Sequence, residues 1–365
     1  MESGSNHYLE KLTSLRFFAA FLVVLFHLGR VIEHQQVYIA AIGTPIAAYG
    51  YVGVSIFFVL SGFVISLVND RWKGWSTYIL GRITRIYPPH LIVTFTLLMP
   101  SVVALITHEG TNGWLKLLSN LTLIQAWSSN TEYYRSLNVV TWSLSVEMNF
   151  YVAFIALRRL RDSWLFILTA TAYLILLVFT IYLHHKWTFD IYWKLYVNPL
   201  ARLPEFLTGM SIYRLYRADK LPRLWLSRFN FVLILIVMLA TMYLVGIYGG
   251  MGGTFAELLD YSVVPLPFIT LMMMALLDSS SNKWMHNHYL VLLGESSFAL
   301  YLIHRPLIGY MHKLLSYTST DSWLRMLGTL LISILIPISI SVLFYRFIEL
   351  PITRTIRHRL ITRTA

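Results

Sequence analysis

Residues 12–30 read LTSLRFFAAFLVVLFHLGR, an apolar stretch interrupted by Arg16 and His27. A helix needs about 20 mostly apolar residues to cross the hydrocarbon of a bilayer, so this stretch is typical of a membrane-spanning helix. It lacks a small-residue cleavage site at its end. We therefore expect a retained first helix and not a cleaved signal peptide.

The whole chain has the composition of a membrane protein. Of its 365 residues, 57% are hydrophobic and 13% are charged, against roughly 25% charged in ordinary soluble domains. The apolar residues recur in blocks of span length. We predict an all-α, polytopic integral membrane protein with about ten transmembrane helices. The candidate spans are about 13–33, 49–69, 86–107, 138–157, 164–184, 199–216, 229–248, 260–278, 289–312 and 324–346.

Positive charge indicates how the helices are oriented. The formal net charge is +12, and with the N-terminus inside, most Lys and Arg fall on the cytoplasmic side, as the positive-inside rule predicts. Both termini are then cytoplasmic, with a short basic tail at about 347–365 and a long outer stretch at roughly 108–137. This charge pattern favours membrane lipid as a partner and not nucleic acid.

The residue types present limit the available chemistry. The chain has no cysteine, which excludes thiolate metal ligands and cysteine-borne intermediates. The sequence also lacks a metal-binding His-Glu motif, a phosphate-cradling glycine loop and a nucleophile elbow. We expect chemistry by His, Ser, Tyr, carboxylates or Arg, without a metal.

Arg16 and His27 are predicted to face the same way. They are eleven residues apart, which at 100° per residue is three helical turns plus about 20°, or about 16 Å along the axis. Such a helix could bind a charged donor at its cytoplasmic end and carry out proton chemistry deeper in the membrane. Alternatively, Arg16 snorkels to headgroups and His27 makes one interhelical hydrogen bond.

Two further motifs lie on the second and third predicted spans. The run VGVSIFFVLSGFVIS at 52–66 places Ser61 on a small-residue face, which favours close helix packing over a role beside a cavity. In YILGRITRIYPPHL at 78–91, Arg82 and Arg85 share a cytoplasmic face, and the following Pro88 and Pro89 are predicted to start the third span. The two guanidiniums could clamp phosphates or serve topology and lipid binding.

Glu147 lies inside the apolar fourth span, one turn after Ser143, in VVTWSLSVEMNFYVAF at 139–154. A carboxylate there costs several kcal/mol unless it is paired or protonated. It could orient and charge-stabilise His27 as in acid–base dyads, or pair with Arg30 structurally. The first pairing is slightly favoured.

Three other charged or titratable residues could be either structural or site-lining. They are Arg202 and Glu205 in ARLPEFLTGM at 201–210, and His304 in LYLIHRP at 300–306. Glu349, at the end of the last span, is expected to cap that helix or anchor the basic tail.

The ordered set of motifs resembles the membrane acyltransferase-3 family. It consists of Arg16 and His27 with ten residues between them, FFVLSGF at 57–63, RITRIYP at 82–88, WSLSVE at 142–147 and PEFLTG at 204–209. The resemblance covers essentially the whole chain. It implies a single membrane acyltransferase domain over 1–365, without the appended extracytoplasmic domain that many relatives carry.

The resemblance implies a multi-pass enzyme of the bacterial inner, or plasma, membrane. It would transfer an acyl group, usually acetyl from cytoplasmic acetyl-CoA, to a hydroxyl of a surface or lipid-linked polysaccharide such as O-antigen or exopolysaccharide. Acyl-CoA, membrane lipid and a glycan or lipid-linked oligosaccharide are the expected partners, and a homodimer is left open. Many relatives have a second glutamate where this chain has Met148, which puts a two-carboxylate mechanism in doubt.

Roles for individual residues follow from the resemblance and the local patterns. His27 and Glu147 are the expected catalytic residues. The expected donor-binding residues are Arg16, Arg82, Arg85 and Tyr87. The expected acceptor-binding residues are Ser61, Trp142, Ser143, Arg202, Glu205 and His304.

Two other functional classes compete with the enzyme. A transporter or flippase for a glycan or small molecule would also place charges in the membrane, but the sequence lacks the internal symmetry that such proteins often show. A non-catalytic scaffold would leave the intramembrane Arg16, His27 and Glu147 without a use.

Overall fold

A computed structural model describes residues 2–33, 48–69, 74–186, 190–221, 230–248, 259, 261, 263–278, 282–315 and 323–356. In these residues every regular element is a helix, so the predicted all-α class is confirmed for the described part of the chain. Helices of eight residues or more are α1 (Glu2–Glu33), α2 (Val52–Asn69), α3 (Trp75–Thr96), α4 (Met99–Glu109), α5 (Thr111–Leu121), α6 (Trp142–Leu157), α7 (Asp162–Lys186), α8 (Leu203–Arg217), α9 (Phe231–Tyr248), α10 (Pro265–Leu277), α11 (His288–Glu295), α12 (Ser297–Leu315) and α13 (Trp323–Phe344).

Three of the described helices are long and apolar enough to cross a membrane, at Leu9–Gly29, Asp162–His185 and Leu330–Ile356. A fourth span results if α3 and α4 are counted as one broken span. Four shorter apolar helices cover Val52–Val68, Trp142–Leu157, Phe231–Leu244 and Pro265–Leu277. The chain is a membrane protein, while the number ten and the cytoplasmic termini stay predictions.

The third predicted span, 86–107, is not a single helix. The axes of α3 and α4 differ by 71°, and Pro100 stands in the first turn of α4. Pro100 has no N–H to donate to the carbonyl oxygen of Thr96, and the loss of this bond favours a break of the helix at this position. The two prolines predicted to start the third span, Pro88 and Pro89, lie inside α3, which begins at Trp75.

The ninth predicted span, 289–312, is also divided, into α11 and α12 with Ser296 between them. The Ser296 hydroxyl donates to the carbonyl oxygen of Leu293 at 3.0 Å. Such local side-chain bonds compete with the regular helix ladder and are common at helix ends.

Helix α1 lies inside the bundle and packs against α2, α10, α11 and α12. Glycines allow the closest approaches. A Cβ on Gly53 would collide with the Ala19 carbonyl of α1, and one on Gly294 would collide with the Thr13 carbonyl. The central position of α1 carries both Arg16 and His27 into the protein interior.

Helices α2 and α8 pack backbone to backbone. A Cβ on Gly62 would collide with the carbonyl oxygen of Phe206, and one on Gly209 would collide with that of Val59. The small-residue face predicted on the second span therefore serves close helix packing, as expected from its pattern.

The stretch after α4 folds into short helical pieces held by a buried lysine. Lys116 of α5 forms ion pairs with Glu109 at 2.5 Å and Glu132 at 3.0 Å. Burial alone would lower the pKa of Lys116, but its hydrogen bonds to the two carboxylates outweigh this and raise that pKa above its ordinary value. The lysine thus links the end of α4 to the short helix Thr131–Tyr134.

Candidate active site

A cavity of about 90 Å³ lies between α1, α2, α3, α6 and α12. Three guanidiniums and one carboxylate line it, which makes it basic overall. Its polar lining residues are Arg16, Ser61, Arg82, Arg85, Ser143, Glu147, Tyr151 and Tyr301. Four of the five helices contribute a residue that the sequence analysis assigned to the site, so those residues are brought together.

Arg82 is buried in the cavity wall, with 6% of its surface exposed. Its guanidinium lies over the rings of Tyr78 and Tyr151, at 5.5 and 5.9 Å from their centroids. Its Nε and Nη2 atoms have no hydrogen-bond partner among the described residues. A buried charged donor without a partner is costly, so this side chain is suited to an anion that enters the cavity.

Glu147 belongs to the same end of the site as the arginines. Its Oε1 atom accepts a hydrogen bond from the Tyr151 hydroxyl at 2.6 Å and a long one from the Ser61 hydroxyl at 3.5 Å. Its charge also interacts with those of Arg16 and Arg82. The glutamate therefore balances part of the positive charge of the cavity.

The expected pairing of Glu147 with His27 stays a prediction. Glu147 shares the cavity with Arg16, which is about 16 Å from His27 along α1 by helix geometry. The other proposed partner, the side chain of Arg30, lies outside the described residues.

His27 meets a second histidine. The ring centroid of His304 is 5.3 Å from that of His27, and the planes are inclined by 40°. His27 is partly buried and His304 is fully buried. The sequence indicated each histidine separately, but it gave no signal that α1 and α12 would bring them together.

Tyr301 lies between the cavity and this pair of histidines. Its hydroxyl is 2.7 Å from that of Ser143 and donates to the carbonyl of Val140 at 3.1 Å. Its ring centroid is 5.9 Å from that of His304. Sequence reasoning missed this tyrosine, although it lies one helical turn before His304 on α12.

The structure favours a structural role for Arg202 and Glu205. Arg202 is 1% exposed and pairs with Glu205 at 3.0 Å. It also donates to the Ser55 hydroxyl at 2.8 Å and to the Tyr261 carbonyl at 3.0 Å. Neither Arg202 nor Glu205 is among the residues that line the cavity, so their predicted contact with the acceptor has no support in this geometry.

Trp142 packs in the same aromatic region as this ion pair. Its ring is 5.0 Å from that of Tyr196, and the Tyr196 ring lies 4.8 Å from the guanidinium carbon of Arg202. It does not line the cavity either. Its predicted acceptor role stays a prediction, and its observed role is packing.

Tyr87 does not line the cavity with Arg82 and Arg85. Its hydroxyl donates to the carbonyl of Thr122 at 3.4 Å. The reason is helical phase, because Tyr87 follows Arg85 by two residues and is turned about 200° away from it. The predicted donor contact of Tyr87 therefore has no support in this arrangement.

Glu349 takes part in the basic end of the site, which sequence reasoning missed. It lies in the π-helical turn Tyr345–Glu349 that follows α13 and is 9% exposed. Its charge interacts with those of Arg85 and Arg16. The expectation that it caps the last helix or anchors the basic tail stays a prediction.

Comparison with known proteins identifies the family of this chain. The family model described as an acyltransferase domain matches residues 9–342. The chain belongs to the acyltransferase-3 family. This membership makes it an enzyme of the acyltransferase class, and it removes the support for the transporter and scaffold alternatives.

Three relatives of this acyltransferase span most of its length. The acyltransferase MdmB of Streptomyces mycarofaciens is 29% identical over 335 residues, covering 84% of this chain and 81% of MdmB. The exopolysaccharide production protein ExoZ of Rhizobium meliloti is 24% identical, covering 86% of this chain and 92% of ExoZ. The O-acetyltransferase OatA of Staphylococcus aureus is 23% identical, covering 96% of this chain and 58% of OatA. No solved structure gives a significant match.

Proposed function

We propose that this acyltransferase moves an acetyl group from cytoplasmic acetyl-CoA to a hydroxyl of a surface or lipid-linked polysaccharide at the outer face of the bacterial inner membrane. The observation that carries the proposal is the basic cavity, in which two nitrogens of the buried Arg82 lack a partner among the described residues. In an acyltransferase, the phosphates of an acyl-CoA donor would supply the anion for these guanidiniums.

Donor binding would use Arg16, Arg82 and Arg85. Guanidiniums present planar sets of donors that match phosphate oxygens. The extended pantetheine arm, roughly 15–20 Å long by bond counting, is as long as the distance of about 16 Å from Arg16 to His27 along a helix. The donor could thus be held at one end of α1 while its thioester reaches the other.

His27 would act on the acceptor. As a general base it takes the proton of the attacking hydroxyl, or as a nucleophile it first carries the acyl group itself. Glu147, held by Tyr151, would balance part of the positive charge of Arg16 and Arg82 at the donor end. Both mechanisms require His27.

The names of the relatives support a polysaccharide acceptor. One is an exopolysaccharide production protein and another is an O-acetyltransferase. A hydroxyl of a surface glycan or of its lipid-linked precursor is consistent with both. Ser61 and Ser143, which line the cavity, are candidates for contacts with the reacting groups.

The test is transfer of radiolabelled acetyl from acetyl-CoA to membrane or surface glycan. Cells with the wild type are compared with cells that carry His27→Ala at the same membrane abundance. The matched control is His184→Ala, since His184 is exposed at the end of α7. We expect label with the wild type and His184→Ala, and a loss of at least about 100-fold with His27→Ala.

Two results would contradict the proposal. Equal label with His27→Ala would make that histidine structural. A lack of transfer by the wild type with polysaccharide present would show that the donor or the acceptor is of another class.

A further inference from the structure

Arg135 is an exposed arginine that the proposed function does not use. It directly follows the short helix Thr131–Tyr134, in the stretch predicted to lie on the outer side. Its neighbour Glu132 pairs with Lys116, and within the described part of the chain Arg135 forms no ion pair. Its charge is therefore available to an anionic group from outside the protein.

Two tyrosine rings hold the guanidinium of Arg135. Its central carbon lies 5.1 Å from the ring centroid of Tyr192 and 5.7 Å from that of Tyr134. The guanidinium also donates to the Tyr192 hydroxyl. Stacking on aromatic faces fixes the plane of the group and leaves its other N–H donors at the edge. Such an edge matches the two oxygens of a carboxylate.

An aromatic cluster connects Arg135 with the expected catalytic histidine. The ring of Tyr192 is 5.1 Å from that of Tyr196, which in turn is 5.5 Å from the ring of Tyr51. The Tyr51 ring is 5.7 Å from that of Phe26, the residue before the histidine. One continuous aromatic region thus reaches from the exposed guanidinium to the place where the acceptor is expected to react.

Three tyrosines around this cluster are only partly buried, namely Tyr49, Tyr192 and Tyr261. The Tyr261 ring lies 5.4 Å from that of Tyr51 and 5.7 Å from that of Tyr192, and the Tyr49 ring lies 6.3 Å from that of Tyr51. A tyrosine offers an apolar face and a polar hydroxyl, which suit the C–H groups and the hydroxyls of a sugar. We call these three tyrosines and Arg135 the tyrosine surface.

We propose that the tyrosine surface binds the acceptor glycan and that Arg135 binds the carboxylate of an acidic sugar in it. This inference rests on the proposed function and names the class of its acceptor. Tyr192, Tyr196 and Tyr51 lie between Arg135 and the histidine end of the cluster. The acidic sugar and the sugar that receives the acyl group would therefore be different units of the glycan.

The experiment compares two forms of one acceptor. The surface polysaccharide of the cells that carry this enzyme is freed of its acyl groups by mild alkali, and half of it is treated to reduce its carboxylates to alcohols. Transfer of radiolabelled acetyl from acetyl-CoA is measured in detergent-permeabilised membranes with matched amounts of protein. The KM for each polysaccharide and the KM for acetyl-CoA are then determined.

With the wild type, we expect the KM for the unreduced polysaccharide to be lower than that for the reduced one by about tenfold or more. In Arg135→Ala, the two values should become equal, while the KM for acetyl-CoA stays the same. Arg135→Lys keeps the charge without the planar donors, and its preference should be intermediate. The matched control is Arg161→Ala, at an exposed position before α7, which should keep the full preference.

The aromatic part of the surface has its own test. Tyr192→Ala removes a ring face and the support of Arg135, so it should raise the KM for both polysaccharides and also reduce the preference for the unreduced one. Trp114→Ala is the control, because Trp114 is 57% exposed and has no ring contact with the cluster among the described residues. It should leave both values unchanged.

The outcomes for the two proposals differ. Equal KM values for the two polysaccharides with the wild type, or a preference that is unchanged in Arg135→Ala, would overturn the carboxylate site while acetyl transfer upholds the proposed function. An equal loss on both polysaccharides in Arg135→Ala would also overturn it, because Arg135 would then bind a lipid phosphate or only stabilise the fold. A wild type that transfers acetyl to neither would overturn the proposed function itself.

Discussion

Arg82 is the residue expected to gain hydrogen bonds when the donor binds. Its Nε and Nη2 atoms are buried without a partner among the described residues, and hydrogen bonds to a charged group contribute about 1.5–3 kcal/mol. A change of 1.4 kcal/mol is tenfold in affinity. We expect Arg82→Ala to raise the KM for acetyl-CoA about 10- to 100-fold and to change kcat much less. Arg82→Lys keeps the charge without the planar donor fork. Its KM for acetyl-CoA, measured by steady-state kinetics, should lie between those of the wild type and Arg82→Ala.

The control for Arg82 is a donor that carries no phosphate. With the wild type, acetyl-pantetheine should have a higher KM than acetyl-CoA. This difference should be smaller in Arg82→Ala, because loss of the phosphates and loss of the guanidinium remove the same contact. Arg159→Ala, at an exposed position after α6, should leave both donors unaffected. An unchanged preference for acetyl-CoA in Arg82→Ala would show that Arg82 does not bind the phosphates.

At the residue scale, the sequence predicts site residues that helical spacing and motifs place on one face. Arg16, Arg82, Arg85 and Glu147 all line the cavity as expected. Tyr87 does not line the cavity, because it lies on another side of α3. The contact between His27 and His304 depends on which helices meet, and spacing along one helix carries no information about that.

The packing of α2 on α8 gives a prediction about whole helices. Because the added methyl group would overlap a backbone carbonyl, Gly209→Ala should force the helices apart. Overpacking of this kind typically destabilises a protein by about 1–3 kcal/mol. We expect a lower midpoint of thermal unfolding in detergent and less folded protein in membranes.

Gly328→Ala is the matched control, because nothing lies within 4 Å of a Cβ at Gly328 in α13. Alanine is favoured over glycine in a helix by up to about 1 kcal/mol, so this variant should be as stable as the wild type or more stable. Equal midpoints of thermal unfolding for Gly209→Ala and Gly328→Ala would mean that α2 and α8 are not packed backbone to backbone.

At the element scale, the sequence predicts where apolar helices occur but not where they break. The prolines at 88 and 89 suggested a helix start, whereas the break falls next to Pro100 and α3 passes through the earlier pair. In a bundle, neighbouring groups can satisfy the carbonyls that a proline leaves free. Which proline interrupts a helix therefore depends on tertiary packing, which the local sequence does not contain.

On the scale of the whole molecule, the basic cavity gathers charge from distant parts of the chain. The first helix supplies Arg16, and α3 supplies Arg82 and Arg85. Glu349, in the turn after α13, does not line the cavity, but its charge interacts with those of Arg85 and Arg16. In the donor-free enzyme this carboxylate offsets repulsion between the guanidiniums. It also opposes the approach of the negatively charged phosphates of the donor.

Replacement of Glu349 should therefore change binding and stability in opposite directions. We expect Glu349→Gln to lower the KM for acetyl-CoA and to lower the unfolding midpoint of the donor-free protein. Added acetyl-CoA should restore the midpoint by binding the folded state. The control is Asp162→Asn, which removes one negative charge from a half-exposed pair with Arg214 and should leave KM unchanged. A higher KM in Glu349→Gln would instead mean that Glu349 orients the arginines for the donor, because loss of a competing charge cannot weaken binding.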